Sequence, residues 1–581
     1  MEIGVVLDCS PQFDREAEYV FNTLLDTLGV SYTIYPADTP SRRIERPACD
    51  VVFYYGRNDD PRRRGDGFLV RVQCEDYGTV WSGADSHISP ANVSGVRGMP
   101  TGPILVAGCV SPRPDGRALV IDASDEKPLV SFHPQTFRID ILFDLVASAF
   151  YLLSGEAERR VETYDAGEDR PANGRPLRRA DVLDEPIVNN YMEIVLNLLI
   201  IVARERKTAL LQKWYWPRSN ESALFLSHDV EFVPRRSFRE EVAGAAMEML
   251  RLRPGKALAH ISSALRFNKM RKEPLRGFSE LMRLETDHSF SSSFYFPATG
   301  GAGSDLRGVS NESMSAALGE LRRSGFEIGL SASEEASLTC AKVRSEKELL
   351  EETLQSEVSG LHQRTVCPYI PENHLSQEQA AFAYGSTGGL NNVGYRAGLA
   401  FPHFPYIRSE RRASSALQLP AVVADEKLFE EDPDVRVALA RIANIVRKTS
   451  RRHALFSLLW RTYVRDADGC VDRLGAYRDV LKRFDGKWVF NDTGAKLAKW
   501  WIERKAARVG RFTRSESGFG WTISAPDGIT HLTLKLYPGF EDYEIDVSGA
   551  TYFLNRAESV ATMQLQTIEP GKDVTITVTR K

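Results

Sequence analysis

Two hydrophobic periods run along most of the chain, and each predicts a different kind of element. Short apolar runs bounded by turn residues, such as IGVVLD and ALFLSHD, predict buried strands. Between such runs, residues 14–29 and 143–160 repeat apolar positions every three or four residues, which predicts helices. Strands alternating with helices indicate an α/β fold, with helices covering a small parallel sheet at the start of the chain.

The pattern changes near residue 509 to short strands of period two, separated by turn residues, which predicts a β-sandwich. The changes along the chain predict four parts. These are an N-terminal α/β domain (1–160), a linker and helix (161–222), a barrel-like α/β domain (223–508) with a basic helical insert (232–276), and the C-terminal β-sandwich (509–581).

Membrane and export signals are weak in this sequence. The most apolar helical stretch, 191–203, is too short to span a bilayer and is predicted to be buried. The first residues, MEIGVVLDCS, lack the basic start and long apolar run of a signal peptide. Seven cysteines without any C-x-x-C pair indicate reduced thiols, with neither a disulfide framework nor a zinc knuckle. We therefore expect a cytoplasmic protein.

Charge changes this picture at one place only. The net charge of −4 gives no general attraction to nucleic acid, so no nucleic-acid partner is expected. The insert 232–276 is strongly basic, however, and its cations alternate with apolar residues such as Phe238, Met247 and Leu250. It is either a solvated helical face or a contact with anionic lipid or the phosphate of a lipid-linked glycan.

Candidate chemistry begins at the strand ALFLSHD. This apolar run ends in His228 and Asp229, and Glu231 follows two residues later. Catalytic side chains of α/β barrels lie at the carboxyl ends of strands, so the three residues are candidates for a site. The alternative is an ordinary strand that runs into a polar loop.

The order of several motifs resembles the polysaccharide deacetylase family, within a bacterial subgroup that opens with H-D-V-D. The segments are SHDVE, SSFYFPA, GFEIGLSASEEA, GLHQRTVCPYIPENHL, YGSTGGLNNVGYRAGLAFPHFPY and LLWRTY. The resemblance covers about the first 500 residues and implies a distorted (β/α) barrel. It also implies a carbohydrate or lipid-linked glycan as the partner, from which an N- or O-acetyl group is hydrolysed with a metal-bound water.

The resemblance assigns roles to particular residues. His228 and Asp229 fall in the catalytic motif, with Asp229 as the base, and Glu231 stands where the family has a metal-binding Asp. Arg396, in GYRAG, matches the family and would anchor the substrate.

The metal motif departs from the family. Ser331 and Glu335 stand in place of the two metal-binding histidines, and Arg364 replaces a later histidine. Arg461 replaces the histidine that would protonate the leaving group, which an arginine cannot do near neutral pH. We expect Ser331, Arg364 and Arg461 to contact substrate. The alternative for Arg396 and Arg461 is that they pair with Asp229 or Glu231 and fill an inactive site.

The remaining ligands do not suit zinc. Glu231 and Glu335 could hold a hard divalent cation weakly, so no tightly bound cofactor is expected. His288 and His374 could in principle replace the lost ligands, but ordinary core or surface positions fit them better. Two hypotheses follow: a glycan deacetylase that works without zinc, or a pseudoenzyme that binds a glycan or a partner protein without turnover.

Overall fold

The computed structural model describes most of the chain. The described residues are 1–35, 49–56, 67–75, 88–96, 99, 102–157, 184–230, 238–251, 258, 276–298, 311–333, 336, 339–363, 370–387, 393–462, 473–510, 512–538, 542–557 and 559–581.

The helices, in chain order, are α1 (Asp14–Leu28), α2 (Leu145–Leu153), α3 (Ile187–Glu205), α4 (Phe238–Leu250), α5 (Arg276–Asp287), α6 (Asn311–Arg323), α7 (Cys340–Leu354), α8 (Ile370–Gln379), α9 (Asp425–Glu431), α10 (Val435–Arg451), α11 (Arg473–Leu481) and α12 (Gly494–Ala506).

The strands up to the middle of the chain are β1 (Ile3–Asp8), β2 (Thr33–Tyr35), β3 (Val51–Gly56), β4 (Phe68–Val72), β5 (Ile88–Gly95), β6 (Gly102–Ala107), β7 (Arg117–Asp122), β8 (Pro128–His133), β9 (Arg138–Ile141), β10 (Leu210–Lys213), β11 (Ser222–Asp229), β12 (Ser292–Pro297), β13 (Glu327–Ala332), β14 (Gly360–Gln363) and β15 (Tyr384–Thr387).

The later strands are β16 (Tyr406–Ile407), β17 (Arg412–Ala413), β18 (Leu417–Gln418), β19 (Val423–Ala424), β20 (Leu455–Leu459), β21 (Val489–Asn491), β22 (Arg508–Val509), β23 (Thr513–Arg514), β24 (Gly518–Ser524), β25 (Ile529–Thr530), β26 (Thr533–Tyr537), β27 (Tyr543–Ser548), β28 (Tyr552–Ala557), β29 (Val560–Leu565), β30 (Thr567–Ile568) and β31 (Asp573–Arg580).

These elements divide between two units that are both discontinuous in sequence. The first unit comprises residues 1–221, 394–414 and 499–581, and the second comprises 222–393 and 415–498. The four-part division from the sequence stays a prediction.

The first unit contains a nine-stranded sheet with the order β2-β1-β3-β4-β9-β8-β7-β5-β6. Strands β1 to β4 and β9 pair in parallel, whereas β9, β8, β7, β5 and β6 pair antiparallel. The expected parallel sheet is thus correct for one half and wrong for the other. Parallel neighbours need a crossover of about a dozen residues, and the short turn between β7 and β8 leaves no room for one.

Helix α3 belongs to the core of the first unit. It is longer than the apolar stretch suggested, and by length and composition it is the one helix among the described residues that could cross a membrane. Its apolar window is 67% buried within the protein. The side chain of Tyr191 accepts a hydrogen bond from the Leu105 backbone N–H at 3.1 Å, and Asn190 donates one to the Pro103 carbonyl at 2.8 Å. These contacts fit a buried helix, as predicted.

The C-terminal residues form strands where the alternation predicts them. The observed β24, β26, β27, β28, β29 and β31 each overlap a predicted strand. They lie in two antiparallel sheets, one with the order β22-β24-β31-β27 and the other with the order β10-β26-β29-β28. Strand β10 comes from the stretch assigned to the linker, and its pairing with β26 was not foreseen. A sandwich of these two sheets stays a prediction.

Two buried cations close helix ends in the first unit. The Arg504 guanidinium donates to the carbonyls of Asp26 at 3.3 Å and Thr27 at 3.0 Å, in the last turn of α1. Lys213 Nζ donates to the carbonyls of Arg504 at 2.9 Å and Ala507 at 2.5 Å, at the end of α12. The last carbonyls of a helix lack intrahelical partners, and the hydrogen bonds from these two side chains satisfy them.

Burial of Lys213 makes the free energy of unfolding depend on pH. Desolvation, reinforced by the charge of Arg504, lowers the pKa of Lys213 from 10.5 to about 7. Between these values the unfolded chain binds more protons than the folded one, so stability rises with pH in this window. The Lys213→Met variant should lose this rise, which amounts to at most about 1.4 kcal/mol per pH unit. Urea unfolding at pH 7, 8 and 9 measures it.

An exposed lysine in the same unit provides the control. Lys572 is solvent-exposed, and Lys572→Met should keep the slope of the wild-type protein. Equal slopes for Lys213→Met and Lys572→Met would contradict the assignment of the pH dependence to Lys213.

The second unit contains a parallel sheet with the order β18-β15-β14-β13-β12-β11-β20-β19, and β21 also pairs with β11. The predicted α/β class is confirmed. The end strands β18 and β19 do not pair with each other within the described residues, so the sheet is a half-barrel and not a closed barrel. Every residue of β11 is buried, as its continuous apolar run predicts for a central parallel strand.

Candidate active site

Polar side chains gather at the carboxyl ends of the parallel strands in the second unit. Asp229 ends β11, Ser331 lies near the end of β13, and His362 lies on β14. Ser331 is in register with His362, and His362 is in register with Ser386 on β15. Because the strands are parallel, these ends meet at one edge of the sheet, which is where α/β proteins place catalytic groups.

The central contact of this edge joins Asp229 and Ser331. The Ser331 hydroxyl donates a hydrogen bond to Asp229 Oδ1 at 2.8 Å, and both residues are buried. They are separated by 102 residues in the chain. The structure therefore brings together the two positions that the resemblance assigned to one site, while their roles in a reaction stay predictions.

Both ring nitrogens of His228 contact other groups of the protein. Its Nδ1 faces the carbonyl oxygen of Trp460 at 2.8 Å, and its Nε2 faces Glu285 Oε1 at 2.7 Å. The ring is fully buried and lies 4.5 Å from the Phe294 ring, centroid to centroid. Each nitrogen is within hydrogen-bond distance of an oxygen atom, so both are engaged with the protein and not directed at a substrate or a metal ion.

Glu285 is a site residue that the sequence analysis missed. It is fully buried on α5 and accepts hydrogen bonds from the hydroxyls of Tyr477 and, at 2.6 Å, Ser292. Burial, followed by the charge of Glu285, raises the pKa of Tyr477 well above its usual range, so Tyr477 is a donor at neutral pH. One signal was available: Glu285 lies four residues after Leu281, on the apolar face of an amphipathic helix.

Arg461 follows β20 and is paired with an acidic neighbour. Its guanidinium forms an ion pair with Glu426, and its backbone N–H donates to Asp425 Oδ1 at 3.3 Å. Arg473 donates to the other oxygen of Asp425 at 3.0 Å. Burial raises the pKa of Asp425, and the charges of the two arginines oppose this rise.

The next residue along the chain contacts the backbone of the site. Thr462 donates from its N–H to the Asp229 carbonyl at 3.2 Å and from its hydroxyl at 3.4 Å. The backbone of the Arg461 segment therefore lies beside Asp229. Its predicted contact with substrate is untested.

The remaining predicted site residues are not part of the described cluster around Asp229. Arg396 lies in the first unit, in the short turn Arg396–Gly398, whereas Asp229 belongs to the second unit. Glu231, Glu335 and Arg364 lie outside the described residues, and their roles stay predictions.

The two spare histidines considered as ligands occupy ordinary positions. His288 Nδ1 lies 2.7 Å from Asp485 Oδ1, and His374 is buried on α8. In the described ranges, no group of three or more His, Cys, Asp or Glu residues could hold a metal ion.

The described part of the site does not fit a zinc ion. Zinc sites use imidazole nitrogens and thiolates, supplemented by carboxylates. Here Ser331 offers a hydroxyl that is already bonded to Asp229. His228 has both nitrogens engaged, and His362 Nδ1 lies 2.7 Å from the Ser386 carbonyl.

Comparisons with known proteins give only distant likenesses. No protein-family model matches the chain, and no curated protein matches it. Similar solved structures include a protein from Mycobacterium smegmatis that is assigned to the polysaccharide deacetylases, at 15% identity and a TM-score of 0.34, over 52% of this chain and 98% of that one.

Two further solved structures carry related descriptions. A novel carbohydrate deacetylase named Agd3 shares 10% identity at a TM-score of 0.40, over 100% of this chain and 99% of that one. A protein from Pseudomonas aeruginosa assigned as a polysaccharide deacetylase shares 13% identity at a TM-score of 0.33, over 49% of this chain and 93% of that one. At these values the likenesses carry no argument about the reaction.

Proposed function

We propose that the second unit binds an acetylated sugar at the carboxyl ends of its parallel strands and hydrolyses the acetyl group, with Asp229 as the base. The supporting observation is the hydrogen bond from Ser331 to Asp229 Oδ1 at 2.8 Å. This bond fixes a buried carboxylate at the edge where the strands end. A carboxylate held in one orientation is a suitable group to take a proton from water.

The proposed reaction is a hydrolysis that needs only Asp229, water and the acetylated sugar. Asp229 takes a proton from a water molecule as the water oxygen bonds to the acetyl carbon. The bond from that carbon to the sugar oxygen or nitrogen then breaks, and the leaving atom takes the proton. The products are acetate and the deacetylated sugar.

The groups around Asp229 favour an ester over an amide. An amide nitrogen leaves only after it has gained a proton, whereas a sugar alkoxide can leave before it is protonated. The position of the family's acid histidine is occupied by Arg461, which cannot donate a proton near neutral pH. We therefore propose O-acetyl groups as better substrates than N-acetyl groups.

His228 would act as a positioning residue in this proposal. It precedes Asp229 on β11, and its contacts with Glu285 and the Trp460 carbonyl fix the end of that strand. This replaces the catalytic role that the sequence analysis gave to His228. Arg461 remains a candidate for a substrate contact, and we propose no tightly bound metal.

The second candidate function is glycan binding without turnover. It is favoured by the hydroxyl of Ser331 in place of a metal-binding imidazole and by the engaged nitrogens of His228. Both candidates place the sugar at the same strand ends, so a test must measure binding and acetate release separately.

Acetate release from defined substrates separates the two candidates. The purified protein should release acetate from O-acetylated xylan faster than from N-acetylated chitin oligomers, with and without a zinc chelator. Binding of the same compounds is measured in parallel by titration calorimetry. Binding without acetate release would assign the protein to the second candidate, and neither binding nor release would reject both.

We also propose that the insert 232–276 contacts an anionic membrane surface. Its described part exposes several large apolar side chains to solvent, namely Val242, Met247, Met249, Leu250 and Leu258. The insert is rich in arginine and lysine, and such a combination suits a surface of anionic lipid.

Vesicle sedimentation tests the membrane contact. The protein should sediment with phosphatidylcholine vesicles that contain phosphatidylglycerol and less with pure phosphatidylcholine. Met249→Asp combined with Leu250→Asp should abolish the difference. Val437→Asp, which changes an exposed apolar residue on α10, should leave it intact. Equal sedimentation of all three proteins would reject the proposal.

A further inference from the structure

A surface pocket in the first unit has no part in the proposed reaction. It has a volume of about 330 Å³ and is formed by α1, residues 402–413 and the second half of α12. All of its lining residues belong to the first unit. Its volume lies at the lower end of the range of small-molecule sites, about 300–1,000 Å³, so it suits a small ligand better than a polymer segment.

Aromatic side chains form one side of this pocket. Tyr19, Phe404 and Trp501 line it, and the Tyr19 hydroxyl donates to the Phe404 carbonyl at 3.0 Å. Tyr19 and Trp501 are buried, whereas Phe404 is only half-buried. Lys505 Nζ lies 4.5 Å from the centroid of the Phe404 ring. These contacts hold the aromatic wall in place before any ligand binds.

Five cations line the pocket, and each of them is engaged with an acidic side chain or with backbone carbonyls. Lys505 pairs with Asp26 at 3.3 Å, and Arg411 pairs with Glu16 at 2.7 Å. Arg504, the buried cation at the end of α1, donates only to backbone carbonyls.

The two remaining arginines are also paired. Arg15 lies 3.9 Å from Glu18, and Arg412 lies 2.5 Å from Glu410. Paired cations have little attraction left for a phosphate or carboxylate of a ligand, because their fields are neutralised locally.

The rest of the lining offers neutral hydrogen-bonding groups. Asn22 and Thr23, on α1, are half-buried beside the aromatic wall, and the Asn22 oxygen accepts a hydrogen bond from the Tyr32 hydroxyl at 2.7 Å. His403 lines the pocket too, and burial lowers its pKa to about 4, so its ring is uncharged at neutral pH. Neutral donors and acceptors beside a fixed aromatic wall suit a ligand that has both hydroxyl groups and an apolar face.

We infer that this pocket binds a neutral sugar ring, with Phe404 against the apolar face of the sugar and with Asn22 and Thr23 bonded to its hydroxyls. This site is separate from the proposed reaction at Asp229. Sugar binding in this pocket is therefore tested independently of the proposed function.

Two variants of the full-length protein test the site. Thr23→Val removes one hydroxyl at constant size, and Phe404→Leu removes the aromatic ring. Binding of glucose, galactose and N-acetylglucosamine is measured by saturation-transfer NMR, with inorganic phosphate as a competitor. The wild-type protein should bind at least one of these sugars, and phosphate should not compete. Each variant should bind roughly 2- to 10-fold more weakly, the effect of one typical hydrogen bond or ring contact.

An exposed threonine provides the matched control. Thr567→Val makes the same chemical change on β30, outside the pocket lining, and should leave sugar binding unchanged. The inference is overturned if the wild-type protein binds none of the three sugars, if Thr23→Val and Phe404→Leu bind as the wild type does, or if phosphate displaces the sugar.

Discussion

Replacing Asp229 with asparagine should lower the rate of acetate release by about 10²–10⁴-fold, the usual contribution of a general base. Asparagine has nearly the same size as aspartate, and its side-chain oxygen can still accept the hydrogen bond from Ser331. It cannot take a proton from water. The variant should therefore fold, bind the sugar and fail to turn it over.

The measurement compares three proteins on the best substrate of the panel. Asp479→Asn makes the same change at an exposed position on α11 and should keep the wild-type rate. Circular dichroism confirms that all three are folded. If Asp229→Asn released acetate as fast as Asp479→Asn, Asp229 would not be the base.

Replacing Glu285 with alanine should lower the free energy of unfolding by about 3–5 kcal/mol, because several buried groups lose a shared hydrogen-bond partner at a cost of about 1–3 kcal/mol each. Three donors face this carboxylate: His228 Nε2 and the hydroxyls of Tyr477 and Ser292. Alanine leaves them buried without an acceptor, and each unsatisfied group adds a desolvation penalty. The loss should be visible as a large shift in the midpoint of urea unfolding.

Glu352→Ala is the matched control for this change. Glu352 is exposed on α7, and its replacement should change the stability by no more than about 0.5 kcal/mol. A similarly small loss for Glu285→Ala would show that the network around His228 contributes little to folding.

The positions of the strands in this protein were easier to predict than the pairing between strands. The alternating residues of the C-terminal region gave its strands, and the apolar run before His228 gave β11, because both patterns are local. The pairing of β10 with β26 joins segments more than 300 residues apart, and no local pattern encodes it. The antiparallel half of the first sheet did have a local signal, because the turn between β7 and β8 is too short for the crossover that parallel strands need.

The site was predictable only where a motif resembled a known one. Asp229 and Ser331 were placed together by the order of family motifs, and the structure brings them into contact. Glu285 and Tyr477 fall outside those motifs. Their contact depends on the fold, because α5 and α11 place both side chains next to His228.

The central claim is that Asp229 and Ser331 act as one unit in the reaction. A double-mutant cycle on the rate of acetate release, using Asp229→Asn, Ser331→Ala and the double variant, tests it most directly. If Ser331 orients the base, its removal should matter only while Asp229 is present, which gives a coupling energy of roughly 0.5–3 kcal/mol. Losses that add to within about 0.5 kcal/mol would contradict the claim.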